Sequence, residues 1–179
     1  MRIKTNFKWV IKIVLISVAA TMVFSLASTE ALGRAGFVIA FAILTAFIII
    51  GIVFDIIGIA VTAATEAPFH SMAAHHERGA MESLRFIKNA DKVSSFCNDV
   101  IGDVSGIVSG STAALIAARL IQGRSNGSIL VPLLISGAVT GLTIGGKAIG
   151  KSFAINNSTV IVLMVGKLAN MLRFKSNPG

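Results

Sequence analysis

The chain alternates long apolar runs with shorter polar segments that carry most of its charge. Four apolar runs lie at about residues 9–28, 37–63, 100–121 and 128–149. Crossing the hydrocarbon core of a bilayer takes roughly 20 helical residues, which each run reaches or nearly reaches. Because the runs are continuous and lack the alternation of barrel strands, they indicate helices. The pattern predicts an all-α membrane protein with about four transmembrane helices.

Two further segments have a helical pattern without being long apolar runs. The polar segment over about residues 66–90 has apolar positions at helical spacing, which predicts a juxtamembrane helix against the inner membrane surface. Residues 158–172 are apolar but too short to span comfortably, and they predict an amphipathic helix along the inner interface. We therefore divide the chain into an N-terminal helix with its outer loop (1–35), a transmembrane domain (36–155) and a C-terminal interfacial helix with a basic tail (156–179).

Composition and charge support this reading and orient the chain. The residues are 54% hydrophobic and only 13% charged, and the mean hydropathy is +0.83. The net charge of +8 lies in segments that flank apolar runs, which indicates a lipid bilayer as partner and not a nucleic acid. With the N-terminus inside, 13 of the 16 Lys and Arg residues fall on the inner side, all but Arg34, Arg119 and Arg124. We expect a multi-pass protein of the cell membrane with both termini in the cytoplasm.

The first run has a second interpretation as a signal peptide. Arg2, Lys4 and Lys8 precede it, and Ser25-Leu26-Ala27 resembles a small-x-small cleavage site. We favour a retained transmembrane helix. Cleavage after Ala27 would leave the other three runs in the same orientation.

Two of the runs carry glycines at four-residue spacing. This spacing places the glycines on one helix face, where the missing side chains let another backbone approach closely. The pattern predicts a tightly packed helix pair or a dimer interface. The glycines are Gly102, Gly106 and Gly110 in the third run, and Gly137, Gly141 and Gly145 in the fourth.

Charged residues lie within or beside the apolar runs, on the predicted inner side. Asp55 is inside the second run, Glu66 follows it, Asp103 begins the third and Lys147 ends the fourth. Charges at such depths are costly and often functional. The three carboxylates, with a freed backbone carbonyl at Gly146, would suit a hard cation such as Mg²⁺. The alternative is a structural ion pair of Lys147 with Asp103 or Asp55.

Two other sequence motifs lack the surroundings or the spacing that their usual functions require. Residues 145–152, GGKAIGKS, fit the phosphate-loop pattern, but they follow a glycine-stepped run of membrane length and not a short strand. No Asp or Glu follows Ser152 to hold nucleotide-bound magnesium, so we predict no nucleotide cofactor and no enzymatic activity. The three histidines lack the H-E-x-x-H spacing of a metal site.

The run AVTAATEAPFHSMAAHHERGAMESLRFIKNADKVSSFCNDVIGDVSGIVSGS resembles the transmembrane domain of the CNNM, CorB and CorC proteins, the domain of unknown function 21. Thr65-Glu66 matches the family's Ser-Glu pair, FIKNADK its turn and Gly102-Asp103 its Gly-Asn pair. Later, Gly146-Lys147 stands at its Gly-Glu position. The resemblance covers roughly residues 40–175.

The resemblance implies a three-helix core with a juxtamembrane belt, a homodimer, and export of magnesium or cobalt. The chain departs from the family pattern in having an extra N-terminal helix and neither the CBS nor the CorC/HlyC domains, so we expect a separate cytosolic or membrane partner protein. Asp103 and Lys147 stand where the family has Asn and Glu. Two functions are therefore open: a cation exporter, or a transport-silent scaffold or regulatory subunit in which Lys147 neutralises the ion site.

Overall fold

The computed structural model describes residues 7–34, 36–121 and 130–175, and their regular elements are all helical. A π-helical segment, Phe96–Gly102, joins the fifth α-helix to the sixth. The predicted all-α class is confirmed for these residues. In chain order the α-helices are α1 (Phe7–Arg34), α2 (Phe37–Ala63), α3 (Glu66–Ala74), α4 (Ala80–Lys88), α5 (Ala90–Ser95), α6 (Asp103–Ile121), α7 (Leu130–Asn156) and α8 (Ser158–Lys175).

Four helical stretches of the described residues are long and apolar enough to cross a membrane. They are Phe7–Glu30, Phe37–Ala63, Ala90–Ile121 and Leu130–Asn156, one for each predicted run. The third begins earlier than predicted because α5 and the π-helical segment continue into α6 without a break. These candidate spans are consistent with a multi-pass membrane protein. Both termini, with Arg2, Lys4 and Arg124 of the orientation argument, lie outside the described residues.

Three threonine hydroxyl groups inside the apolar helices are satisfied within their own helix. Thr21, Thr45 and Thr143 each donate a hydrogen bond of 2.8 Å to the carbonyl oxygen four residues earlier. Lipid offers no hydrogen-bonding partner, so a local acceptor lowers the cost of these polar side chains. The helices can therefore carry threonine without a polar partner from elsewhere.

The chain forms two compact units, and the first is built from the described residues of Met1–Ile52 and Asp99–Gly145. Side chains of α2, α6 and α7 make its apolar core, and α1 packs on α6. Ser28 Oγ lies 2.9 Å from Thr112 Oγ1, and both side chains are buried. This interhelical hydrogen bond ties the end of α1 to α6. The core residues are Ala40, Leu44, Ile48, Ala113, Ile116 and Val139.

The second unit is built from the described residues of Val53–Asn98 and Gly146–Gly179. Its core joins the end of α2 to α3, α4, the end of α7 and α8. The helix α8, predicted only as an interfacial helix, thus packs against α4 and has a buried side of its own. The core residues are Ala60, Val61, Phe69, Leu84, Ala154 and Val162.

The predicted juxtamembrane helix over 66–90 needs correction, because the structure divides it into α3 and α4. The backbone between them takes left-handed conformations, with φ of 56° at His76 and 84° at Gly79. A right-handed helix cannot continue through such residues, and glycine adopts this conformation at little cost. The chain therefore turns between α3 and α4.

Gly79 and Gly166 lie in close backbone contact in the second unit. A Cβ atom on Gly79 would lie 2.7 Å from the carbonyl carbon of Gly166, and one on Gly166 would collide with Ser83 Oγ and the Gly79 carbonyl oxygen. Ser83 Oγ is buried, 2.9 Å from that oxygen and 3.0 Å from the carbonyl oxygen of Val162. The two glycines let α8 approach closely enough for Ser83 to bridge the helices.

We predict that Gly166→Ala destabilises the protein by about 1–3 kcal/mol, the usual cost of overpacking a tight contact. The added methyl group has no space between Ser83 and Gly79. The free energy of unfolding in detergent measures the effect. Gly110→Ala, also in a helix, is the matched control, since a Cβ there meets no described atom within 4 Å. Equal stability of the two variants would contradict the proposed contact.

Candidate functional site

Lys147 and Asp55 form an ion pair in the second unit. Lys147 Nζ on α7 lies 3.7 Å from Asp55 Oδ1 on α2, and the side chains are 28% and 15% exposed. The distance is longer than a charge-assisted hydrogen bond of about 2.7–2.9 Å, so the contact is ionic and not tightly bonded. Asp55 was one of the two carboxylates predicted as partners of Lys147.

Asn98 packs against the same helix at Gly58. A Cβ atom on Gly58 would collide with the Asn98 side chain, so the glycine makes the space that the amide fills. The amide nitrogen of Asn98 donates to Ser94 Oγ at 3.3 Å. Its Oδ1 atom is buried and has no hydrogen-bond partner among the residues that the structure describes. Buried acceptors rarely lack a donor, so this oxygen has unused capacity for a proton donor or a cation.

The position of Asn98 depends on the π-helical segment. This segment, Phe96–Gly102, carries one more residue in each hydrogen-bonded turn than an α-helix does. Short π-helical turns of this kind are frequent at functional sites. Asp55 and Gly58 are three residues apart on α2, so Asn98 packs on this helix about one turn from Asp55. We call Asp55, Asn98 and Lys147 the polar cluster.

The other predicted metal ligands lie elsewhere. Glu66 Oε2 lies 3.3 Å from His70 Nε2, one turn further along α3, and both side chains are well exposed. Asp103 is exposed at the start of α6, in the first unit. Gly146 lies inside the helical part of α7, where helical hydrogen bonding engages its carbonyl. Of the predicted ligands, only Asp55 belongs to the polar cluster.

No metal centre of side chains is assembled in the part of the chain that the structure describes. No group of three or more His, Cys, Asp or Glu residues there could hold a metal ion. The predicted set of Asp55, Glu66 and Asp103 is not found as such a group among these residues. Any cation held at Asp55 needs amide, carbonyl or water oxygens beside the carboxylate.

The stepped glycines do not form the predicted close helix pair inside the chain. A Cβ atom on Gly106, Gly110, Gly137, Gly141 or Gly145 would meet nothing within 4 Å. Gly102 differs, since its carbonyl oxygen lies 3.6 Å from the Cβ position of Gly51 on α2. The alternative of a dimer interface stays a prediction for the five open glycines.

The phosphate-loop motif is part of a helix. Residues 145–152 belong to α7, which continues to Asn156. A phosphate loop cradles its anion with backbone N–H groups that helical hydrogen bonds do not engage, between a strand and a helix. This segment does not have that geometry.

Sequence reasoning missed Asn98 and Gly58. The polar pair Asn98-Asp99 directly before the third apolar run was the available signal, because polar side chains beside a membrane span are often functional. The contact of Asn98 with Gly58 could not be inferred, since it depends on the π-helical turn and on packing between segments distant in the chain.

Comparison with protein-family models, with curated proteins and with solved structures finds no match for this chain. Its geometry is therefore the basis for the roles of the polar cluster.

We predict a measurable coupling between Lys147 and Asp55. In a double-mutant cycle with Lys147→Ala and Asp55→Ala, the coupling should be about 1–3 kcal/mol, between the values of exposed and buried pairs. The intermediate value follows from side chains that are only 28% and 15% exposed. Unfolding free energies in detergent measure the four proteins.

The control cycle pairs Glu66→Ala with His70→Ala on α3, where both side chains are well exposed and the coupling should be below about 1 kcal/mol. Additive effects of the Lys147 and Asp55 substitutions would show that the ion pair does not form.

Proposed function

We propose that this multi-pass membrane protein exports a divalent cation such as Mg²⁺, with Asp55 and Asn98 as oxygen ligands of the transported ion. The observation that carries the proposal is the buried Asn98 Oδ1 atom without a partner, next to the α2 face that holds Asp55. The resemblance to the CNNM, CorB and CorC transmembrane domains supports export as the direction and magnesium or cobalt as the cargo.

The donor types fit a hard cation. Mg²⁺ prefers oxygen ligands in an octahedron, keeps several of its waters, and is usually held by only one or two carboxylates. One carboxylate and one amide oxygen are therefore a sufficient protein contribution, and a third acid is unnecessary. In this proposal Glu66, Asp103 and Gly146 are not ligands of the ion at Asp55.

Lys147 serves in this proposal as a built-in competitor for the cation. Its ammonium neutralises Asp55 when no ion is bound, which limits the cost of a carboxylate at this depth. A divalent cation at Asp55 would repel the ammonium, and the contact at 3.7 Å with 28% exposure leaves the lysine free to move away. Ion binding and release would thus be linked to movement of the Lys147 side chain.

A second function is supported by the same ion pair. If the ammonium stays on Asp55, the chain is a transport-silent membrane scaffold or regulatory subunit, and Lys147 permanently replaces the cation. The observation in its favour is the direct Lys147–Asp55 contact itself. A separate cytosolic or membrane partner protein belongs to both proposals, as do cytoplasmic termini in the cell membrane.

We predict that millimolar Mg²⁺ raises the thermal stability of the purified protein, and that Lys147→Gln enlarges the shift because it removes the competing charge. Asn98→Ala and Asp55→Asn should abolish it, since each removes an oxygen ligand or its charge. Thermal unfolding in detergent with and without MgCl₂ measures the shift, and flux into liposomes tests transport.

Asp91→Asn is the control for general charge effects, because Asp91 is an exposed acid on α5 and outside the polar cluster. The absence of a Mg²⁺ shift in both wild type and Lys147→Gln would refute cation handling. Destabilisation by Lys147→Gln in that case would favour the scaffold.

We further propose a homodimer that joins copies through the open glycine face of α7, and we predict that Gly141→Leu weakens it. A Cβ at Gly141 meets nothing within the chain, so added bulk should disturb only contacts between copies. Cross-linking and light scattering in detergent measure the association. Ser136→Leu is the control, since Ser136 is exposed on another face of α7. Equal dimer fractions in both variants would count against this interface.

A further inference from the structure

A cavity of about 690 Å³ opens on the second unit between α8 and the turn after α3. Its lining combines two cations, one acid, one amide and one thioether. We call it the α8 cavity. Volumes of 300–1,000 Å³ are typical of sites for small ligands, so this one has room for a phospholipid headgroup. The lining residues are Glu77, Arg78, Lys167, Asn170 and Met171.

The charges of the α8 cavity suit one negative charge. Among the described lining residues, Arg78 and Lys167 bring two positive charges and Glu77 one negative charge, a net charge of +1. Lys167 Nζ donates to Glu77 Oε1 at 3.2 Å, but these side chains are 48% and 40% exposed, so the pair is weak and open to competition. No ion pair joins Arg78 to another residue of the described chain. A phosphate diester has the complementary charge and the acceptors for both cations.

One wall of the cavity belongs to the apolar face of α8. Four side chains of this face, and Leu172 beside it, are between 52% and 69% exposed, although the opposite side of the helix is packed on α4. A large apolar face left open on a membrane protein belongs in lipid. Met171 is part of this face and also lines the cavity, so the cavity opens where the apolar face ends. The face consists of Val160, Met164, Leu168 and Met171.

We propose that the α8 cavity binds the headgroup phosphate of an anionic phospholipid from the leaflet on which α8 lies. Arg78 and Lys167 contact the phosphate, Asn170 donates to a headgroup oxygen, and the acyl chains lie along the apolar face of α8. Zwitterionic lipids bind less well because their ammonium group meets Arg78 and Lys167. This lipid site is independent of cation transport, because none of its residues belongs to the polar cluster.

The test titrates the detergent-solubilised full chain with short-chain phosphatidylglycerol or phosphatidylcholine and measures bound lipid by native mass spectrometry. Phosphatidylglycerol should bind more tightly, and Arg78→Ala should weaken it about fivefold, the effect expected for one cation at an anionic lipid surface. Lys88→Ala is the matched control. It removes the same charge from an exposed residue at the end of α4, outside the cavity, and should leave binding unchanged.

Equal binding of phosphatidylglycerol to Arg78→Ala and Lys88→Ala would overturn the site. Inorganic phosphate is added as a separate probe. If it binds as tightly as phosphatidylglycerol, the ligand is a free anion and the lipid assignment is wrong. Circular dichroism checks that both variants keep their helices, and Arg78→Lys, which keeps the charge, should retain most of the lipid binding.

Discussion

The second unit depends on the contact between the backbones of Gly79 and Gly166. Only residues without a Cβ atom let the turn after α3 meet α8 so closely, and Gly79 also supplies the left-handed conformation that ends the α3–α4 turn. Once α8 lies there, Ser83 can reach the Val162 carbonyl and Lys167 can reach Glu77. The α8 cavity and the buried side of α8 are both consequences of this single approach.

The helices themselves could be predicted because their causes are local. Length and continuous apolar character fix a membrane span, and all four predicted runs became helices. The roles of the glycines could not be predicted in the same way, since spacing shows a face but not what it meets. Gly106 and Gly137 fit a repeat, yet a Cβ atom on either would meet nothing within 4 Å among the described residues, whereas Gly58 and Gly166 fit no repeat and make close contacts.

The charged residues of the candidate site could be predicted, because a charged residue stands out in an apolar run. Asp55 and Lys147 stood out for that reason, and they are in contact. Glu66 has His70 four residues later on the same helix, a local partner that its spacing already allowed. Asn98 carries no charge, and its Oδ1 atom is buried through a π-helical turn that has no simple sequence pattern. Its contact with Gly58 is therefore seen only in the folded structure.

The Asp55 carboxylate and the Asn98 oxygen differ in whether the chain itself supplies a partner. A carboxylate at this depth needs a positive partner, and Lys147 supplies one from within the chain, so Asp55 does not require a metal to be stable. The Asn98 oxygen has no such partner, and an ammonium already engaged with Asp55 does not satisfy it. A hydrated divalent cation could satisfy both oxygens and displace one ammonium into more polar surroundings. In the proposed exporter, ion binding would thus depend on the free energy of moving Lys147 compared with that of dehydrating the ion.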